Sequence, residues 1–106
     1  MALYFNITGA SSAAAELTRE LIAPGDDVNA RSISLTNVHA DTKCTVDLYV
    51  EKALVGKFYL LKSVELPVGV TLTHSCTLNS KPNEFGLYLK LNKSASETPS
   101  VDVVIN

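Results

Sequence analysis

Residues 44–51 read Cys-Thr-Val-Asp-Leu-Tyr-Val-Glu. Apolar Cys44, Val46, Leu48 and Val50 alternate with Thr45, Asp47, Tyr49 and Glu51. A period of two marks a strand with one face on a core and the other toward water, because successive side chains on an extended backbone leave opposite faces. Cys44 falls on the apolar phase, so its thiol is expected in the core.

The same alternation recurs in both directions from this strand. Leu3, Phe5 and Ile7 alternate with Tyr4, Asn6 and Thr8, and Gly9 ends that run. From Val28 the chain reads VNARSISLTNV, with Ile33 and Leu35 opposed to Ser32, Ser34 and Thr36. Downstream, Gly56 sits where a turn is needed before KFYLLKSVEL, and Pro67-Val68-Gly69 separates that run from VTLTHSCTL. Leu87, Leu89 and Leu91 alternate with Tyr88, Lys90 and Asn92. Val101, Val103 and Ile105 close the chain against Asp102 and Val104. Turn-rich joints recur about every 8–12 residues, the rhythm of a sandwich or barrel. The expected fold is all-β: a single antiparallel β-sandwich of about seven or eight strands over residues 1–106, jelly-roll or immunoglobulin-like.

One segment resists this pattern. Residues 11–25, SSAAAELTRELIAPG, have helix-favouring composition, Leu17 and Leu21 four apart, and a Pro24-Gly25 stop. As a strand, the segment puts Leu17, Arg19 and Leu21 on one face and Thr18, Glu20 and Ile22 on the other, a poor amphipathic split. A strand over 16–22 is preferred, with room for a helical turn at 13–16.

Composition narrows the function. The chain has 106 residues, 46% hydrophobic and 19% charged, enough for one self-sufficient core and too apolar for global disorder. The formal charge is −2 and lysines come singly, so the positive stripe that nucleic-acid binding uses is missing. No basic and apolar leader is visible, nor any run near the roughly 18 apolar residues of a membrane span. With two cysteines and no Cys-x-x-Cys spacing, partly buried thiols are expected rather than a disulfide.

Chemistry-bearing motifs are sparse. His74 and Cys76 share a face if extended, but His39 and Cys44 are the only other soft ligands and no metal spacing joins the four. Ser, Cys, His and acid residues are present without a nucleophile elbow around any of them. Asp26-Asp27, Asp41 and Asp47 lack the spacing of a calcium loop, and Pro24-Gly25-Asp26-Asp27 reads as turn chemistry. Asn6-Ile7-Thr8 and Asn92-Lys93-Ser94 match the glycosylation sequon by chance. Lys62, Ser63 and Glu65 read as outward polar positions beside the Pro67 corner. The expectation is no enzyme, no cofactor, and no catalytic or metal-binding residue.

From residue 22 onward the order of features resembles a known group. A Pro-Gly turn, a strand ending in Asn37, the alternating strand at 44–51, FYLL followed by Pro67-Val68-Gly69, and the closing SVDVVIN are similar to the small β-sandwich virion proteins of tailed bacteriophages. Those proteins serve as capsid decoration (cement), neck or tail accessory subunits. The region SKPNEFGLYL departs from the acidic-glycine turn that such proteins often carry. The resemblance implies a non-enzymatic structural protein, made in the host cytoplasm and resident in the virion. Its implied partners are other copies of itself and other virion proteins, with no nucleic acid and no membrane. Residues 1–15 then read as an arm docking on a neighbouring subunit. Strands at both chain ends must pair or leave open edges, and SVDVVIN, with one charge, would be an inviting edge. The competing reading is a carbohydrate- or peptide-binding β-sandwich module using Tyr4, Tyr49 and Tyr88. Against it stands the simpler role of tyrosines rimming a sandwich with their hydroxyls in water.

Overall fold

The computed structural model describes residues 3–8, 16–39, 43–52, 54–80, 84–92 and 99–106, and folds the alternating segments into strands. In chain order these are β1 (Leu3–Thr8), β2 (Glu16–Ile22), β3 (Asn29–Asn37), β4 (Cys44–Lys52), β5 (Gly56–Leu66), β6 (Thr71–Asn79), β7 (Phe85–Asn92) and β8 (Ser100–Ile105). Two four-stranded antiparallel sheets result, ordered β1-β8-β3-β6 and β2-β7-β4-β5. Consecutive strands alternate between the two sheets except at the β4–β5 hairpin, the double Greek key of a jelly roll rather than an immunoglobulin arrangement.

The inner phases of both sheets meet in one core. Ile33, Leu35, Val101, Val103 and Ile105 from the first sheet pack with Val46, Leu48, Leu87, Leu89 and Leu91 from the second. Cys44 is buried among them, as its phase predicts. Phe5, on the apolar phase of β1, is half-buried, as are Leu60 and Leu72 on the other edge strands β5 and β6, and Val50 is half-buried toward the end of β4. Ile22, Ala30 and Phe85 are buried although the alternation did not place them there.

Residues 16–22 form a strand, and a bulge between Glu20 and Ile22 explains their poor period-two pattern. The extra residue resets the phase, so Leu21 and Ile22 are both buried, where strict alternation assigned them to opposite faces. The helical turn considered at 13–16 falls mostly outside the described residues. Residues 3–8 of the segment read as an arm pair with β8 of the same chain, and 9–15 lie outside the described residues.

SVDVVIN is not an edge. β8 lies between β1 and β3 and pairs with both, so the terminal strands solve the open-edge problem against each other.

Both Pro-Gly corners are type II turns. The Asp26 amide donates to the Ala23 carbonyl at 3.1 Å with Gly25 at φ +94°, and the Val70 amide donates to the Pro67 carbonyl at 3.2 Å with Gly69 at φ +75°. A positive φ at the third position favours glycine. Fully buried Asn37 fixes the second corner: its Nδ2 donates to the Leu66 carbonyl at 2.9 Å, its Oδ1 accepts from the His39 amide at 3.0 Å, and its carbonyl accepts from the Gly69 amide at 2.9 Å. The first corner is held likewise by buried Ser80, whose hydroxyl donates to the Asp26 carbonyl and accepts from the Val28 amide.

Candidate functional site

The residues weighed for catalysis are not brought together. His74 and Cys76 lie half-buried on β6, at the edge of the first sheet, while Cys44 is buried on β4 in the other. His39 lies just past β3, with its amide on Asn37. Among the described residues no group of three or more His, Cys, Asp or Glu could hold a metal ion. Burial pushes the Cys76 thiol above its ordinary pKa, which disfavours the reactive thiolate. Asp26 caps its own turn, with Oδ2 accepting from the Ala23 amide at 3.1 Å, in keeping with turn chemistry. Asp41 lies outside the described residues, as do Lys93 and Ser94 of the second sequon. The Asn6 amide is engaged with Asp102 at 2.6 Å, and the Asn92 amide with the Thr45 carbonyl at 3.4 Å.

Asp47 has a role that alternation alone did not disclose. It sits on the outer phase of β4 yet is only 1% exposed. β5 bulges opposite it, where Lys62 and Ser63 are inserted between the Val46–Val64 and Leu48–Leu61 pairs. Ser63 adopts φ +52° there, and its amide donates to Asp47 Oδ1 at 2.6 Å. Lys62 Nζ lies 3.6 Å and Lys90 Nζ 4.0 Å from the other carboxylate oxygen. Lys62 and Ser63 are therefore parts of a structural clamp, whereas Glu65 pairs separately with Lys43 at 3.3 Å on the surface.

The outer face of the second sheet carries a tyrosine ladder across β7, β4 and β5. Tyr49 is in register with both Tyr88 and Tyr59. Its ring stacks on Tyr88 at 5.5 Å and 19°, and tilts against Tyr59 at 5.3 Å and 49°. Tyr88 lies over Gly86, where a Cβ would meet its ring at 2.8 Å, so the glycine makes room for the aromatic. Lys57 Nζ sits 5.0 Å from the Tyr49 centroid and Lys62 Nζ 4.4 Å from that of Tyr59. Tyr88 donates to Glu20 at 3.2 Å; burial and then this bond to Glu20 raise its pKa.

Of the three tyrosines proposed as a platform, the ladder unites two. Tyr4 lies on the other sheet, 74% exposed, beside an open groove of ≈ 330 Å³ with Asn6, Asp102 and Val104. Tyr49 is only 5% exposed, its ring covered by those of Tyr59 and Tyr88, so it offers little face to a ligand. Tyr59, which no motif singles out in the sequence, is the ladder's exposed member at 42%.

A second surface lies at the β4–β5 hairpin. Leu54 is fully exposed, Val55 64% and Phe58 50% exposed. The Val55 amide donates to the Lys52 carbonyl at 3.1 Å, and Leu54 occupies the left-handed region at φ +65°. That conformation costs a residue with a Cβ about 1–2 kcal/mol. Leu54→Gly should therefore stabilise the domain by about 0.5–1 kcal/mol, after allowance for glycine's greater freedom when unfolded, as read in urea titrations. A strained, solvent-facing leucine at this tip does nothing for the fold.

No family model matches the chain, and no curated protein matches its sequence. In fold it is similar to the crystal structure of PirA, with a TM-score of 0.60 at 13% identity, covering 99% of this chain and 93% of that one. It is likewise similar to the Yersinia pseudotuberculosis-derived mitogen, with a TM-score of 0.60 at 14% identity, covering 100% of this chain and 86% of that one. A solved CBM4 structure aligns at a TM-score of 0.49 and 15% identity, covering 94% of this chain and 78% of that one. At such identities the likeness is one of fold, and function is argued from surfaces.

Proposed function

We propose that this chain is a non-enzymatic structural subunit that works by packing against other protein chains, as the virion accessory subunits it resembles in sequence do. The observation that carries the reading is the β4–β5 hairpin tip, where Leu54, Val55 and Phe58 stand in water on a small sandwich with a well-filled core. Clustered exposed apolar side chains mark an interaction surface more often than scattered ones do. The virion assignment itself draws on the sequence resemblance, since the fold similarities above are to proteins of other kinds. SVDVVIN offers no open edge to a partner, because β8 is internal. In virions produced with Leu54→Lys/Val55→Lys in place of the natural chain, the subunit should be lost from particles while the purified variant keeps its cooperative unfolding. Undiminished incorporation would refute the tip as the docking surface.

A second reading, a carbohydrate- or peptide-binding module, is favoured by the tyrosine ladder. With Tyr49 covered, the contact would fall to Tyr59 and Tyr88, flanked by Lys57, Lys62 and Glu20. Glycan-array binding that disappears in Tyr59→Ala/Tyr88→Ala would establish it, and an array without signal for the natural chain would remove the carbohydrate version.

A further inference from the structure

We infer that β6 pairs antiparallel with β6 of a second copy, about a two-fold axis at Ser75, joining the two β1-β8-β3-β6 sheets into one. The inference deepens the packing reading above and rests on it for its biological use, but its test is separate.

Among the described residues four strands end the two sheets, and each has a described strand on one side only: β1, β2, β5 and β6. An edge presents unsatisfied backbone donors and acceptors, and proteins guard edges with charge, bulges or brevity. β5 is guarded by Lys57, Lys62, Glu65 and its bulge at Ser63. β2 carries Arg19 and Glu20. β6 runs nine residues, Thr-Leu-Thr-His-Ser-Cys-Thr-Leu-Asn, with no lysine, arginine, aspartate or glutamate.

This stretch is also nearly palindromic about Ser75. In the antiparallel register centred there, Leu72 faces Leu78 of the second copy, Thr73 faces Thr77, His74 faces Cys76, and Thr71 faces Asn79. Exposure alternates without a break along the strand, with Leu72, His74, Cys76 and Leu78 half-buried and the residues between them exposed. Apolar side chains therefore meet on the core side and hydroxyls on the solvent side, the cross-strand pairings that stabilise sheets. β6 does carry one extra residue between Ser75 and Leu78 relative to β3, but the alternation continues through it and the two halves keep their faces. The other uncharged edge, β1, is six residues long against nine, so self-pairing there would form fewer backbone hydrogen bonds.

A single strand pair is a small contact, so the dimer forms at high concentration in solution and is reinforced by repetition in an assembly. A two-fold contact is isologous, so each substitution acts twice. Light scattering across a concentration series should show the wild-type chain approaching twice its 11.4 kDa mass. Thr73→Lys/Thr77→Lys places lysine opposite lysine at two symmetric positions and should weaken the dimer by roughly tenfold or more. Thr73→Lys/Thr77→Glu places lysine opposite glutamate and should restore it, and all three chains should unfold alike. A wild-type chain that stays monomeric at every concentration overturns the pairing, as does a dimer that both variants leave unchanged. A charge-complementary variant no better than the double lysine overturns the register. A monomer in solution that is nonetheless present in virions would refute this pairing while leaving the structural-subunit reading intact.

Discussion

Leu89→Ala should lower the unfolding free energy by about 2–5 kcal/mol, the range for deleting a buried leucine side chain. Leu89 is fully buried on β7, an inner strand hydrogen-bonded to β2 and β4. Its register partners are Leu48 on one side and Arg19 on the other. With ladders on both sides the backbone cannot collapse into the space left behind, so the cost belongs in the upper half of that range. Leu48→Ala should behave alike, and the double variant should depart from additivity because the two side chains are cross-strand neighbours. Tyr4→Ala, at a position 74% exposed, serves as the control and should change stability by no more than about 0.5 kcal/mol. Urea titrations with an unchanged slope would attribute the loss to the native core. Losses near zero at both Leu48 and Leu89 would mean that the strand register is wrong.

Asp47→Ala should cost roughly 3 kcal/mol, although alternation places this residue on the outer phase of β4. Its carboxylate receives the Ser63 amide at 2.6 Å and has Lys62 and Lys90 within 4.0 Å, while its own side chain is 2% exposed. Alanine would leave the amide of the bulge without this acceptor and remove the buried negative charge facing two lysines. Most of the cost is assigned to the amide and to Lys90, whose side chain is 20% exposed. Lys62, at 58%, is screened by water and contributes little. Asp47→Asn keeps an acceptor for Ser63 but not the charge, so it should lose distinctly less than alanine. Equal losses would show that charge, and not the bulge amide, dominates.

Much of this architecture was legible because alternation is a local property. The inner positions of β3, β4, β7 and β8 read directly from the sequence, and both Pro-Gly corners turn where their residue types predict. What escaped depended on partners distant in sequence. The Glu20–Ile22 bulge, which buries Leu21 beside Ile22, is visible only once β7 sets the register. Asn37 looked like the end of a strand, and its burial follows from the corner 30 residues later that it holds. Tyr49 became a covered member of a ladder because Tyr59 and Tyr88 arrive from two other strands. The hairpin tip carried no recognisable motif, since two ordinary aliphatic residues matter there only through exposure and, for Leu54, backbone conformation. SVDVVIN was misjudged because strand propensity does not reveal whether a strand is central or terminal in its sheet.

The fold positions its surfaces consistently with a packing subunit. The core and the Asp47 clamp hold a rigid sandwich, the hairpin tip projects apolar side chains, and β6 leaves one uncharged edge. Peptide mass spectrometry of gradient-purified virus particles from cells that make the chain is the measurement that decides the proposed virion role. The chain should be recovered with the particles in a fixed ratio to their structural proteins. Particles that lack it, from cells that contain it in quantity, would refute the proposed role.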